Sequence, residues 1–186
     1  MRKEVTKKLL AIFIASIMVL SVLGFVLNYI ITPEVYKFNK YIIKATPKGF
    51  ELKALGKKFL FNFLPDQLVQ FELKEANFLL NASEIAITYN PEDSEVNLAA
   101  EAQFYFEDLA KDLWKIKRGL IKFESPFIQE ISCENATKET PVVEILSHNA
   151  SLYEIENFCL KIKFSNQNDL IGMIEKLIYF KIGVIK

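Results

Sequence analysis

The sequence predicts an α/β protein: an N-terminal transmembrane helix followed by one α/β domain with a mixed sheet, an N-terminal β-hairpin and a C-terminal helix. Three observations carry that expectation. Leu9 to Ile31 is a run without a charged residue, preceded by Arg2, Lys3, Lys7 and Lys8. Beyond it, segments that alternate apolar and polar residues take turns with segments whose apolar residues recur every third or fourth position, the marks of strands and helices. Such interleaving along one chain is the pattern of layered α/β domains.

As a helix at about 1.5 Å per residue, residues 9–31 reach roughly 34 Å, enough for a ~30 Å hydrocarbon core. The apolar core of a secretory signal peptide is usually only ~7–15 residues. This run is longer and no A-x-A-like site follows it, so an uncleaved signal-anchor is expected. Residues 1–8 then form a cytoplasmic basic head, 9–31 the lipid-embedded span, 32–48 a juxtamembrane linker and 49–186 an extracytoplasmic domain. Lys37, Lys40, Lys44 and Lys48 nearly balance the cations of the head. Orientation therefore rests on length: a large domain translocates largely regardless of charge, while the short basic head stays inside. Val35, Phe38 and Ile42 fall at helical spacing, with the lysines on another face. Thr46-Pro47 ends any helix soon after, so a short helical continuation or a plain linker is favoured over an amphipathic collar on the lipid surface.

Within the domain, Phe50, Leu52 and Ala54 alternate with charged residues, Leu55 to Lys58 supplies a turn, and Phe59, Phe61 and Phe63 alternate again, as in a β-hairpin with an aromatic core side. Lys74 to Leu80 suits a short helix. Glu84 to Tyr89 is a β-branched strand, after which Asp93 or Ser94 caps a long helix with Leu98, Ala102, Phe106, Leu109 and Leu113 on its buried stripe. Gly119 to Phe123 then reads as a parallel return strand, making residues 84–123 a β-α-β unit. Strands are expected at Val142 to Leu146, Ser151 to Ile155 and Phe158 to Phe164. A last helix, capped by Asp169, buries Leu170, Ile174, Leu177 and Ile178.

Residues 32–186 hold 19 Lys/Arg against 22 Asp/Glu, a balance that disfavours nucleic acid as a partner. Cys133 and Cys159 are the only cysteines. In an oxidising compartment they read as a disulfide, worth roughly 3 to 3.5 kcal/mol in the loop-entropy model. A reactive thiol would need an activating base or a neighbouring thiol; His148 is the sole histidine and C-x-x-C is absent. Asn81, Asn135 and Asn149 each open an N-x-S/T sequon, a possible glycosylation acceptor on an outer surface.

No nucleotide-binding, metalloprotease, hydrolase or EF-hand signature occurs, and one histidine with two distant cysteines cannot furnish a conventional zinc site. No catalytic residue, metal or cofactor is expected. The strongest polar constellation is Asn90 to Glu95, just past a strand's carboxyl end, where open α/β sheets place ligands. Glu92, Asp93 and Glu95 are carboxylates of the type that hold calcium, but their spacing matches no calcium loop, and capping of the following helix is the favoured reading. Glu101, Glu107, Asp108, Lys111 and Asp112 read as the wet side of that helix, Trp114 as a packing anchor and His148 as a loop residue.

The basic head and single span, Lys58-Phe59-Leu60-Phe61-Asn62-Phe63-Leu64-Pro65, Cys133-Glu134-Asn135-Ala136-Thr137, Pro141-Val142-Val143, Cys159 and the ending Leu177 to Ile185 are together distinctive. Over most of its length the chain resembles uncharacterised archaeal proteins with one N-terminal membrane anchor and a small extracytoplasmic domain containing a Cys pair. That resemblance implies a single-pass protein of the cell membrane and lends no activity or ligand. The functional expectation is a non-enzymatic interaction or structural component of the cell envelope, touching lipid through residues 9–31 and a protein partner through its domain. The alternatives are a pilin-like filament subunit, or a small-ligand, metal-binding or enzymatic domain using the Asn90 to Glu95 loop.

Overall fold

Residues 12–24 form a helix, α1, on which Phe13, Met18 and Leu20 are all more than 60 % exposed. The computed structural model describes residues 12–24, 34–73, 75–123 and 127–185, and the chain divides into two units, Met1–Val35 and Tyr36–Lys186. Among the described residues no helix is long and apolar enough to cross a membrane. The predicted span also includes residues 9–11 and 25–31, which lie outside the described residues, as does the basic head.

The second unit opens with a four-stranded sheet in chain order: β1 (Val35–Phe38), β2 (Tyr41–Thr46), β3 (Gly49–Ala54) and β4 (Lys57–Phe61). Two-residue turns join them, with Asn39 at φ 53° and Leu55-Gly56 at 52° and 74°. Residues 35–46 are thus strands, where the sequence suggests a helical continuation or linker. The Asn39-Lys40 turn shifts the inward phase by one residue, from Tyr36 and Phe38 before it to Ile43 after it, which breaks the strand alternation, while Val35 and Ile42 of the apparent helical stripe are half exposed. β2 pairs with β3 from Thr46↔Gly49 to Ile43↔Leu52, so residues 43–46 of the expected linker lie in the same sheet as the expected hairpin. The expected hairpin is β3–β4, its turn shortened to Leu55-Gly56. Ile43, Leu52, Phe59 and Phe61 are buried on one side of this sheet, whereas Phe63 falls beyond β4.

After α2 (Asn77–Asn81), six strands form a mixed sheet in the order β7-β6-β5-β8-β10-β9: β5 (Glu84–Tyr89), β6 (Lys115–Leu120), β7 (Gln129–Glu130), β8 (Val142–Ser147), β9 (Leu152–Glu156) and β10 (Cys159–Phe164). Every neighbouring pair is parallel except β9–β10. The β-α-β unit is present, with α3 (Val96–Ala110) between parallel β5 and β6. Its second strand is displaced from the expected 119–123. Lys115 and Lys117 reach Glu84 at 2.9 and 2.5 Å, and Arg118 reaches Glu107 of α3 at 2.8 Å, so β6 carries no apolar alternation. The two lysines hold the Glu84 carboxyl down at about 2.

α4 (Gln167–Ile182) begins at a reciprocal cap: the Asn166 side chain accepts from the Asp169 amide at 3.0 Å and donates to the Asp169 carboxylate at 2.9 Å. It ends at Gly183, whose φ of 83° closes a Schellman turn through Val184 N–H to the Tyr179 carbonyl. α4 is buried nearly all round because both sheets press on it. Phe61 stacks on Tyr179 at 4.0 Å between ring centroids, and β10 packs on the other side. The layers run four-stranded sheet, helices, six-stranded sheet, with the main core between them and a small second cluster on the far face of the six-stranded sheet.

Glu175 on α4 is fully buried inside that core and is satisfied by four donors: the Asn62 amide at 2.7 Å, the Asn62 side chain at 2.8 Å, the Phe63 amide at 2.9 Å and the Tyr105 hydroxyl at 2.5 Å. It ties the end of β4 to both long helices.

Candidate functional site

The face of the six-stranded sheet turned away from the helices is only partly covered. After β7, residues 131–141 cross it, held among other contacts by Ile131 N–H to the Leu120 carbonyl at 3.0 Å, Thr88 hydroxyl to the Ile131 carbonyl at 2.8 Å, Ala86 N–H to the Pro141 carbonyl at 2.8 Å, and the Cys133–Cys159 disulfide, with Cα atoms 5.3 Å apart. Ile131 sits directly over Gly119; a Cβ there would lie 2.6 Å from the Ile131 side chain. Gly119→Ala is therefore expected to lift this segment and cost about 1–3 kcal/mol. Paired thermal melts would check it, and because the nearest contact is Ile131 Cβ, truncation of Ile131 to Ala is not expected to restore the loss.

Beside the disulfide opens a groove of about 580 Å³, lined in part by Asn90, Lys122, Glu134, Glu144, Asn157 and Lys161. Glu144, in the middle of β8, is 6 % exposed and accepts the Cys133 amide at 2.6 Å. Burial pushes its carboxyl pKa up, against the opposing pull of that amide and of Lys161. Lys161 bridges Glu156 at 2.8 Å and Glu154 at 3.6 Å, and Lys163 also pairs with Glu154. Donor atoms of Cys133, Glu144 and Cys159 lie within 4.8 Å of one another. With the sulfurs joined they offer no thiolate ligand, and the set works as a staple plus a carboxylate that fixes the backbone next to it.

Of the three carboxylates in the Asn90 to Glu95 loop, Asp93 is tied to the neighbouring backbone. Asp93 accepts from the Glu95 and Ser147 amides, both at 3.0 Å, and from the Ser147 hydroxyl. Burial alone would raise its pKa, but these donors hold it below the ordinary carboxylate value. It clamps the start of α3 to the end of β8, and the α3 N-cap is Glu95, without a side-chain cap, rather than Asp93 or Ser94. Glu92 and Glu95 are exposed. Asp93→Ala is expected to cost about 1–2 kcal/mol through the lost amide acceptor. Calcium titration of the wild-type protein is expected to leave Tm unchanged, both checked by calorimetry.

The other predicted residues scatter. Asn81, Asn135 and Asn149 are all exposed, at the end of α2, in a short 3-10 turn (Cys133–Asn135) and after β8. His148 lies in a loop, and Trp114 is buried with its indole N–H on the Leu79 carbonyl at 3.1 Å. Glu107, Asp108 and Asp112 pair with Arg118, Lys111 and Lys57 on the surface. Sequence reading missed Glu144 and Glu175, although each interrupts an apolar run, Val142 to Leu146 and Met173 to Ile178. A lone carboxylate in such a run is the signal of a buried, satisfied charge.

Comparison with protein-family models, with curated proteins and with solved structures finds no match to this chain. Of the features that carried the expected resemblance, the structure shows the Cys133–Cys159 pair at disulfide distance.

Proposed function

We propose that this chain is a non-enzymatic, membrane-anchored domain that meets a protein partner through the groove face beside Cys133–Cys159. The observation that carries the reading is the division of its polar chemistry. Asp93, Glu144 and Glu175 are absorbed by internal backbone donors, as structural groups are, while the groove keeps a rim of exposed Lys122, Glu134, Glu156 and Asn157. A broad, shallow, charged rim around a small buried centre suits protein recognition better than enclosure of a small substrate. Anchoring is supported by the uncovered apolar surface of α1, and by a disulfide and three exposed sequons that suit the oxidising side of a membrane.

The test is site-specific photocrosslinking in native membranes. A crosslinker at Asn157 or Glu134 is expected to trap one discrete partner, and one at Glu101, on the helix layer, none. A protein that stays a lone monomer from every position would overturn the reading.

A further inference from the structure

We infer that the outer face of the four-stranded sheet lies against anionic lipid headgroups, so that the groove face points away from the membrane; this rests on the anchoring proposed above. Residues 34–61 carry seven lysines against two glutamates, a net +5, whereas residues 62–186 carry twelve Lys/Arg against twenty Asp/Glu, a net −8. The positive charge is thus confined to the first sheet. With Ile43, Leu52, Phe59 and Phe61 buried on the inner side, the strand alternation puts Lys37, Lys44, Lys53 and Lys58 on the other, joined by Lys40 and Lys48 in the turns.

Two features of this face call for an anionic partner. Lys53 and Lys58 stand directly opposite each other across β3 and β4, a like-charge pair for which this face offers one carboxylate, Glu51, 3.4 Å from Lys58, against Lys37, Lys44, Lys53 and Lys58. Among the cations sit exposed Ile42 and Leu60, 49 % and 44 % accessible, and Leu55 at the β3–β4 turn at 68 %. Lysines interleaved with aliphatic side chains match a headgroup layer, where phosphates take the charge and the glycerol region takes the methyls. Chain length supplies the proximity: four residues from Ile31 to Val35 reach at most about 14 Å. The layer order then runs lipid, four-stranded sheet, helices, six-stranded sheet and groove.

The test uses the full chain in vesicles of phosphatidylcholine alone or enriched in phosphatidylglycerol. Flotation in high salt reads the anchor, and amine-reactive footprinting in low salt reads the sheet. The expected result is flotation with both vesicles, with Lys37, Lys44, Lys53 and Lys58 labelled severalfold more slowly on phosphatidylglycerol, while Lys115, Lys117 and Lys122 label equally on both. High salt should abolish the difference. A triple variant, Lys44→Glu with Lys53→Glu and Lys58→Glu, should float unchanged and lose the protection at Lys37. Flotation with equal labelling on both lipids would overturn the inference and leave the anchor standing. Failure to float with phosphatidylcholine in high salt would overturn both.

Discussion

Glu175→Ala is expected to destabilise the protein by about 3–5 kcal/mol, the largest effect of any single substitution considered, because it removes a fully buried acceptor and strands the part-buried Asn62 and Phe63 amides and the Tyr105 hydroxyl that end on it. The Asn62 and Phe63 amides leave β4 at the point where the chain turns toward α4, and both end on Glu175. Denaturant unfolding would measure the loss. Glu175→Gln keeps one acceptor oxygen and should cost about half as much, and Tyr105→Phe, which removes one donor of four, about 1 kcal/mol. The carboxylate also gives stability a pH slope. Burial raises its folded pKa above the ordinary 4.5 despite its four donors. Between 4.5 and that raised value the native state holds more protons than the unfolded chain. The contribution is therefore complete below 4.5 and declines as pH rises through the folded pKa. Glu175→Gln should flatten that part of the stability curve.

Joint replacement of Cys133 and Cys159 by Ser is expected to cost about 3.5 kcal/mol, from the chain entropy of a loop whose ends are 26 residues apart. The effect should be uneven. The disulfide pins residues 131–141 over the far face of the sheet, where the small cluster of Ala86, Ile131, Val142 and Cys159 is separate from the main core. Hydrogen exchange should therefore show Ile131 N–H and Cys133 N–H losing protection first, while α4 keeps its protection until global unfolding. Equal loss in α4 and in residues 131–141 would mean that the bond supports the whole core rather than the groove.

Much of the domain was legible because its strands and helices follow single periodicities. β5 falls on the expected Glu84 to Tyr89, β8, β9 and β10 lie within a residue or so of their expected positions, and α4 buries the four residues assigned to its stripe. The failures have local causes. β1 and β2 were hidden by a two-residue turn that changes the phase of burial between Phe38 and Ile43. β6 was displaced because three of its side chains, Lys115, Lys117 and Arg118, are stabilised by partners on β5 and α3 rather than by burial. The site was less legible than the fold. The Cys pair could be read from count and compartment, but the partners of Glu175 lie 70 to 113 positions away and no local pattern points to them. Asp93 was noticed for its charge, and its actual work is done on Ser147, a contact set by sheet order. A six-strand order of β7-β6-β5-β8-β10-β9 is one of several that the strand count allows.

The proposed anchoring requires a lipid-held N-terminal helix with the disulfide-bearing domain on the oxidising side. Labelling intact cells with a membrane-impermeant maleimide, before and after treatment with an impermeant reductant, addresses that directly. The prediction is no mass shift before reduction and two additions afterwards, at Cys133 and Cys159, with the cells still sealed. Labelling that requires lysis, or thiols that react without reduction, would contradict it.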